Sequence, residues 1–152
     1  MEKYDSEAET RKHIKMVSDC LGVAIRELTL RQEQHDATKL ESPEFEIYEE
    51  WTPKLAGCEY GSTEYRDMLS KMKPALDHHY GNNRHHPEHW PNGVVGMNLI
   101  DLVEMLCDWM SAAKRHATGD VRKSIEINQK RFGYSDEIKQ ILLNTVSGWE
   151  AA

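Results

Sequence analysis

The stretch from Met97 to His116, MNLIDLVEMLCDWMSAAKRH, decides the predicted fold class. Its large apolar residues recur at intervals of three and four, the spacing that gathers side chains on one face of an α-helix. These residues are Leu99, Leu102, Val103, Leu106 and Met110. The pattern predicts a central helix that ends before Gly119, a residue type favoured just beyond helix ends.

The same spacing recurs on both sides of this stretch. From about Ser6 to Gln34 it predicts one long helix with a buried stripe, formed by Ile14, Val17, Leu21, Ala24 and Leu28. Two late helices are predicted over residues 120–131 and 135–146, and no segment shows the period-two alternation of a strand. We therefore predict an all-α fold, a single-domain bundle of about six helices over residues 1–152.

Prolines and glycines set the other predicted boundaries. Ser42-Pro43-Glu44 is typical of a helix start, with a cap, a proline in the first turn and an acid. Pro53 is expected to end that helix. The next helix, capped by Ser62 or Thr63, is predicted to run to about Met72, with a break or kink near Pro74 and a resumption toward Tyr80. Residues 81–96 contain glycine, asparagine and proline at the frequencies of turns, and they predict a loop.

Composition and charge limit the classes of function. The chain has 152 residues, of which 39% are hydrophobic and 30% charged, values that suit one globular domain with its own core. The net charge of −7 argues against a general nucleic-acid or anionic-membrane surface. A small anionic ligand stays compatible with it, because bound divalent cations can reverse the local charge.

Nothing in the sequence predicts a membrane or secreted protein. No apolar run approaches the roughly 20 residues needed to span a bilayer, and the first residues are polar and acidic. The cysteines are odd in number and widely spaced, at positions 20, 58 and 107. This spacing predicts reduced thiols in a cytoplasmic protein.

Histidines concentrate immediately before the central helix. Five of the eight fall between His78 and His89, and imidazole is the commonest metal ligand in proteins. Neighbouring side chains seldom point the same way, so we expect two or three ligands, with His79, His85 and His86 preferred. The alternative is a solvated loop or an adventitious surface site.

Other residues can complete such a site. His35-Asp36 offers one borderline and one hard metal ligand, and Lys39 follows one turn later, where it can face a metal-held phosphate. Glu88 can orient a ligand imidazole or act as a general acid or base. The ordinary alternatives are a surface pair at a helix end for His35-Asp36 and a solvated carboxylate for Glu88.

Acidic residues of the central helix form a third group. Asp101, Glu104 and Asp108 lie at intervals of three and four and share one side of the helix. They form either a charged outer face or a face turned toward a metal, a partner or water, because a buried unpaired carboxylate is costly. His13, on the apolar face of the first helix, is either a ligand or a hydrogen-bonded core residue.

Taken in order, His13, His35-Asp36, the clustered histidines and Asp108 resemble the HD-domain superfamily of metal-dependent phosphohydrolases, whose fold is all-α. Residues 35–39, HDATK, are similar to the HDxGK form of its motif, with Thr38 where glycine is usual. Residues 85–93 loosely resemble the histidine-rich segment of the HD-GYP branch, in which additional histidines hold a further metal.

Most of the chain also resembles a small family found in phages and bacteria, with the patterns HDxxK, HxxxNxxHPE and EMxCDW. Here these are residues 35–39, 79–88 and 104–109. This second resemblance implies no particular activity. If a phage encodes the chain, we expect it in the host cytoplasm.

The superfamily resemblance implies hydrolysis of a nucleotide or nucleotide-derived phosphate ester by a metal-activated water. It implies one or two divalent metal ions, among which Mn, Fe, Mg, Zn, Co and Ni are not distinguished. His35, Asp36 and Asp108 would hold the first metal. The residues that would complete this site or a second one are His13, His79, His85 and His86. The implied catalytic residues are Asp36, Lys39 and Glu88.

Two other classes of function stay open. A di-iron oxygenase can use the same histidine–aspartate cage on an HD scaffold. A non-catalytic interaction protein can use the cage to bind a metal or a nucleotide. The expected partner is a small phosphorylated substrate, not a nucleic-acid duplex or a membrane, and a homodimer stays open.

Overall fold

The chain folds into six α-helices in the computed structural model, which describes residues 4–58, 62–115 and 119–151. No strand occurs within these ranges, so the prediction of an all-α fold with about six helices is confirmed. None of the described helices is both long and apolar enough to cross a membrane. The contacts divide the chain into two units, Met1–His35 and Asp36–Ala152, and a single domain over residues 1–152 stays a prediction.

The first unit is one helix, α1, over Ser6–Gln34. Asp5 caps it, because its side chain accepts a hydrogen bond from the Ala8 N–H at 3.0 Å. No residue of α1 is buried, and Ile14 and Leu21 are 60% and 59% exposed. The predicted buried stripe is therefore wrong here, since a single helix has no second surface on which to bury its own apolar face.

The second unit contains the other five described helices and three short 3-10 turns. The helices are α2 (Glu44–Ala56), α3 (Thr63–Asn82), α4 (Leu99–Lys114), α5 (Val121–Phe132) and α6 (Asp136–Glu150). The turns are Ala37–Leu40, Pro87–His89 and Gly93–Gly96. Helix α2 packs on α3, and α5 packs on both α4 and α6.

The core of the second unit lies where α4, α5 and α6 meet. Its most deeply buried side chains are Met105 and Leu106 from α4, Ile125 from α5, and Leu142 and Val146 from α6. The stretch that predicted a central helix therefore supplies core residues, although the helix begins two residues later than Met97. The predicted end at His116 lies outside the described residues.

The prediction that Pro53 ends its helix is wrong, and Pro74 does not break the next helix, while a kink at Pro74 stays a prediction. Helix α2 continues through Pro53 to its end at Ala56, and α3 is one helix through Pro74. A proline removes one backbone hydrogen bond and costs a helix about 3 kcal/mol, but the mutual packing of α2 and α3 keeps both helices continuous. The predicted loop over 81–96 is shorter too, because α3 runs to Asn82 and two 3-10 turns follow.

Helix α4 begins at a capping box that also anchors the segment before it. Asn98 Oδ1 accepts a hydrogen bond from the Asp101 N–H at 2.9 Å, and Asp101 Oδ2 accepts one from the Asn98 N–H at 3.0 Å. The fully buried Asp101 also accepts two hydrogen bonds of 3.1 Å from the Arg84 guanidinium. Arg84 directly precedes His85 and His86, so this pair holds the histidine-rich segment against the start of α4.

The connection from α5 to α6 is fixed by one buried tyrosine. Helix α5 ends at Gly133, whose φ of 68° favours glycine. The next residue, Tyr134, is 6% exposed, and its hydroxyl donates a hydrogen bond to the Ile125 carbonyl. Burial raises the pKa of Tyr134 to about 12.

Tyr134→Phe should lower the free energy of unfolding at pH 7 by about 1 kcal/mol, because it leaves the Ile125 carbonyl without this donor. It should also weaken the pH dependence of stability. The native phenol stays protonated to about pH 12, whereas an unfolded phenol ionises near pH ~10, so stability falls as the pH rises through this range. Denaturant unfolding at neutral and alkaline pH measures both effects.

Tyr4→Phe is the matched control, since Tyr4 is 76% exposed and should contribute to neither effect. Equal unfolding free energies for the two variants would show that the Tyr134 hydroxyl does not stabilise this connection.

Candidate metal centre

Four side chains of the second unit converge on one point: Asp36, His79, His85 and His86. Each offers one ligand atom, and these atoms lie within 4.8 Å of one another. Asp36 Oδ1 lies 3.4 Å from His79 Nε2 and 3.5 Å from His85 Nε2. Donor atoms roughly 2.0–2.1 Å from a tetrahedral ion stand about 3.4 Å apart. These side chains, called the four-residue cluster below, could therefore hold a metal ion.

The third contact within the cluster is shorter. His79 Nε2 and His86 Nε2 are 2.8 Å apart, the length of a hydrogen bond between a protonated and an unprotonated ring nitrogen. The His86 ring also lies close to that of His85, with their centroids 4.1 Å apart. His79 Nε2 therefore faces both Asp36 and His86, in a position where these side chains could share a cation.

The chain turns sharply at Asp36, where φ is 56°. This left-handed conformation is uncommon for residues other than glycine, although aspartate adopts it more readily than most. Such residues often cluster at functional sites. Asp36 begins the 3-10 turn Ala37–Leu40, and its carboxylate oxygens face different partners. Oδ1 faces the imidazoles, whereas Oδ2 accepts a hydrogen bond from Lys39 Nζ at 2.6 Å.

Asn83 joins this turn to the histidines. Its backbone N–H donates to the His79 carbonyl at 2.9 Å, and its side-chain amide donates to Thr38 Oγ1 at 2.8 Å. The Asn83 carbonyl then accepts a hydrogen bond from the His86 N–H at 3.3 Å. One buried amide residue thus sets the positions of the turn after Asp36 and of the segment that carries His86.

Two buried carboxylates orient the cluster histidines from outside. Glu44, at the start of α2, is fully buried and accepts hydrogen bonds from His78 Nδ1 at 2.7 Å and His79 Nδ1 at 2.8 Å. Glu104, on α4, lies 3.1 Å from His85 Nδ1. A carboxylate at Nδ1 fixes the proton on that nitrogen and leaves the lone pair on Nε2, which is the arrangement of metal-binding histidines.

Burial keeps two of the cluster imidazoles, those of His79 and His86, neutral. It is the largest cause that lowers the pKa of His86 to about 3, and the neighbouring His85 and His79 add to it. Burial also lowers the pKa of His79, followed by the charge of Lys39, against the opposing effects of Asp36 and Glu44. Neutral imidazole is the form that binds a metal, so neither ring needs to lose a proton near pH 7.

Glu44 stays ionised inside the protein. Burial alone would raise its pKa, but hydrogen bonds from His78, Thr38 and His79 outweigh burial and lower it. The centre therefore combines neutral imidazoles with negative carboxylates, of which Asp36 is paired with Lys39. A divalent cation would compensate this charge.

The structure brings together four of the predicted site residues, Asp36 with the three preferred histidines, and Lys39 lies against Asp36. A carboxylate oxygen of Asp108 lies within 4.8 Å of a carboxylate oxygen of Asp36. His13 is exposed on α1, and His35 caps the C-terminal end of α1 in the first unit. The roles of His13, His35 and Asp108 stay predictions.

Glu88 pairs with a residue of α5, and its role as a catalytic or orienting residue stays a prediction. Its Oε1 accepts a hydrogen bond of 2.6 Å from Arg131 Nη2, and it is not part of the four-residue cluster. The other histidines of the stretch have partners of their own. His78 bonds to Glu44, and His89 Nδ1 bonds to the Tyr80 carbonyl at 2.8 Å.

The two orienting carboxylates were not predicted. Glu104 belongs to the acidic series on α4, for which the sequence left two alternatives, an outer charged face or an inward-facing one. Glu104 is buried beside His85, so at this position the series faces inward. Glu44 carries no local signal, because an acid after Ser42-Pro43 is sufficiently explained by the start of a helix. Its role depends on the packing of α2 against α3, which the local sequence does not encode.

The fold and the cluster define an all-α protein with a buried histidine–aspartate site that can hold a metal ion. A family model described as "Family of unknown function (DUF5662)" matches residues 2–148, so the chain belongs to this family. No curated protein and no solved structure matches the chain.

His86→Ala should weaken metal binding by more than the roughly 10–100-fold that loss of an outer partner costs, because it removes a donor from the cluster itself. Isothermal titration of the metal-free protein with zinc measures this. His89→Gln is the control, since His89 belongs to the same stretch but lies outside the cluster. Equal losses in both variants would indicate adventitious chelation by the histidine-rich segment.

Glu44→Gln should weaken zinc binding by roughly 10–100-fold, although all four cluster side chains remain present. The reason is that the glutamine amide is an uncharged acceptor and holds the His79 ring less firmly than the Glu44 carboxylate does. Glu46→Gln, an exposed acid in the same first turn of α2, should bind zinc like the original protein. Unchanged affinity in Glu44→Gln, with the fold intact by circular dichroism, would mean that Glu44 does not position the cluster.

Proposed function

We propose that the protein is a metal-dependent phosphohydrolase that acts on a nucleotide or nucleotide-derived phosphate ester. One observation carries the proposal: the buried four-residue cluster borders a cavity of about 650 Å³, and His79, His86 and Lys39 line that cavity. A metal-type donor set, a cation and a space of ligand size thus adjoin one another. The resemblance of residues 35–39 and of the histidine order to the HD superfamily supports the same conclusion.

The cluster would hold a divalent ion through the three imidazoles and the Asp36 carboxylate. This donor set favours a transition metal such as zinc, iron or nickel over magnesium, which prefers oxygen ligands throughout. A bound ion supplies a Lewis acid for the phosphoryl oxygens and a water of lowered pKa. Asp108, within 4.8 Å of Asp36, is the described carboxylate that we propose for completing the site or extending it to a second ion.

The chain's own residues then have distinct roles. Lys39 lines the cavity and can donate to a phosphoryl oxygen while it remains beside Asp36. Tyr48 lines the same cavity, and burial, followed by the charge of Glu44, raises its pKa, so its hydroxyl stays a neutral donor. Glu88 is engaged by Arg131, and we propose Asp36 and Lys39 as the catalytic residues in preference to it.

We place this activity in the cytoplasm, or in the host cytoplasm if a phage encodes the chain. The net charge of −7 suits a small phosphorylated substrate held at a local cation site better than a nucleic-acid duplex or a membrane surface.

Asp36→Asn should reduce metal-dependent hydrolysis of p-nitrophenyl phosphate and bis-p-nitrophenyl phosphate by roughly 100-fold or more, because it removes the charged ligand of the cluster. Asp77→Asn, at an exposed aspartate of α3 that pairs with Lys73, should retain full activity. The assay compares chelated protein with protein reloaded with zinc, manganese or iron.

Three results would overturn the proposal. Phosphate release that survives both chelation and Asp36→Asn would exclude a metal-dependent mechanism at this site. Consumption of oxygen by the iron-loaded protein, without phosphate release in any metal, would favour a di-iron oxygenase instead. Metal binding without turnover of either kind would favour a non-catalytic role.

A further inference from the structure

The cavity beside the cluster has mostly apolar walls. Six of its lining residues are apolar or aromatic: Leu40, Phe45, Tyr48, Met72, Leu76 and Tyr80. They come from the turn after Asp36, from α2 and from α3, whose packing against each other forms the walls. A volume of about 650 Å³ lies in the range of roughly 300–1,000 Å³ typical of small-molecule sites.

Three aromatic rings contribute to these walls. Phe45 is 44% exposed although it lines the cavity, so much of its apolar ring surface is open to a ligand. Tyr80 forms the part of the wall next to the cluster, because its ring centroid is 5.1 Å from that of His86. Aromatic surfaces bind planar rings by stacking or by edge contacts. The walls therefore suit a flat, aromatic group better than a sugar chain or a highly charged one.

The charge of the cavity limits how many phosphates fit. Among the lining residues that the structure describes, Lys39 is the single lysine or arginine, and Glu49 is an anion. One phosphoryl group can be matched at Lys39 and the cluster. A di- or triphosphate would place further negative charge where the described part of the lining offers a carboxylate and no second lysine or arginine.

We infer that this cavity binds the aromatic group of a phosphate monoester, an aryl or nucleoside monophosphate, and directs its single phosphoryl group to Lys39 and the four-residue cluster. The position of the phosphate rests on the proposed function, whereas the choice of an aromatic group rests on the cavity walls and the choice of a single phosphoryl group on the charges of Lys39 and Glu49. Leu40, which is 78% exposed, and Phe45 form the part of the lining that the aromatic group covers.

The test is a binding measurement that needs no turnover. Zinc-loaded protein is titrated calorimetrically with phenylphosphonate and with methylphosphonate, which share the anionic group and differ in the ring. Phenylphosphonate should bind at least about tenfold more tightly, as expected for one stacked ring. AMP should bind more tightly than ATP, and comparison of AMP with phenylphosphonate distinguishes a nucleoside from a simple aryl group.

Phe45→Ala should bring the affinity ratio of the two phosphonates close to one, with methylphosphonate binding unchanged. Trp149→Ala is the control, because Trp149 is an aromatic residue of similar exposure, 45%, on α6 and does not line this cavity. Phe45→Leu, which keeps apolar volume without the ring, replaces Phe45→Ala if circular dichroism shows that the alanine variant is unfolded.

The outcomes separate the two proposals. Preference for phenylphosphonate without hydrolysis of any ester would contradict the proposed hydrolase activity and support the aromatic binding site. Hydrolysis with equal affinity for both phosphonates, or with a ratio unchanged by Phe45→Ala or Phe45→Leu, would overturn the aromatic site and leave the hydrolase. No binding of either phosphonate would also overturn the aromatic site. Tighter binding of ATP than of AMP would overturn the inference that the site takes a single phosphoryl group.

Discussion

The arrangement of the centre depends on keeping one carboxylate charged inside the protein. Glu44 is fully buried, and an isolated carboxylate in such a place would be strongly unfavourable. Hydrogen bonds from His78 and His79 satisfy it, and in doing so they tie the start of α2 to the last turns of α3. The same contact fixes the His79 ring with Nε2 toward Asp36. The contact that permits the burial of Glu44 therefore also orients a histidine that could bind a metal ion.

A second buried carboxylate, on α4, orients another histidine of the cluster. Glu104 on α4 faces His85, while Asp101, one turn earlier on the same helix, holds Arg84 just before it. Core packing of α4 through Met105 and Leu106 makes this helix a firm support for the histidine segment. The cluster is thus held by α2 through Glu44 and by α4 through Glu104, with the turn after Asp36 completing it. Rigid support of this kind is what a metal site or a catalytic site requires.

The local sequence pattern was sufficient to predict the helices and part of the candidate site. Of the apolar residues predicted to share a face of α4, Leu106 lies in the core and Leu102 and Met110 pack against it, whereas Leu99 is 78% exposed. The density of histidines predicted where the three preferred imidazoles meet Asp36, in a group that could hold a metal ion. Features that depend on tertiary packing escaped prediction. Glu44 looks like an ordinary first-turn acid, and Pro53 and Pro74 look like helix breakers until α2 and α3 are packed together. The stripe on α1 has a helical period, but periodicity alone does not supply a covering surface.

The central claim is that Asp36, His79, His85 and His86 form one metal site, and X-ray absorption at the zinc edge of the zinc-loaded protein tests it most directly. The account predicts a shell of nitrogen and oxygen donors at roughly 2.0–2.1 Å, with multiple-scattering features of three imidazoles that fall to two in His79→Ala. A shell containing sulfur, or one with at most one imidazole that does not change in His79→Ala, would contradict the account.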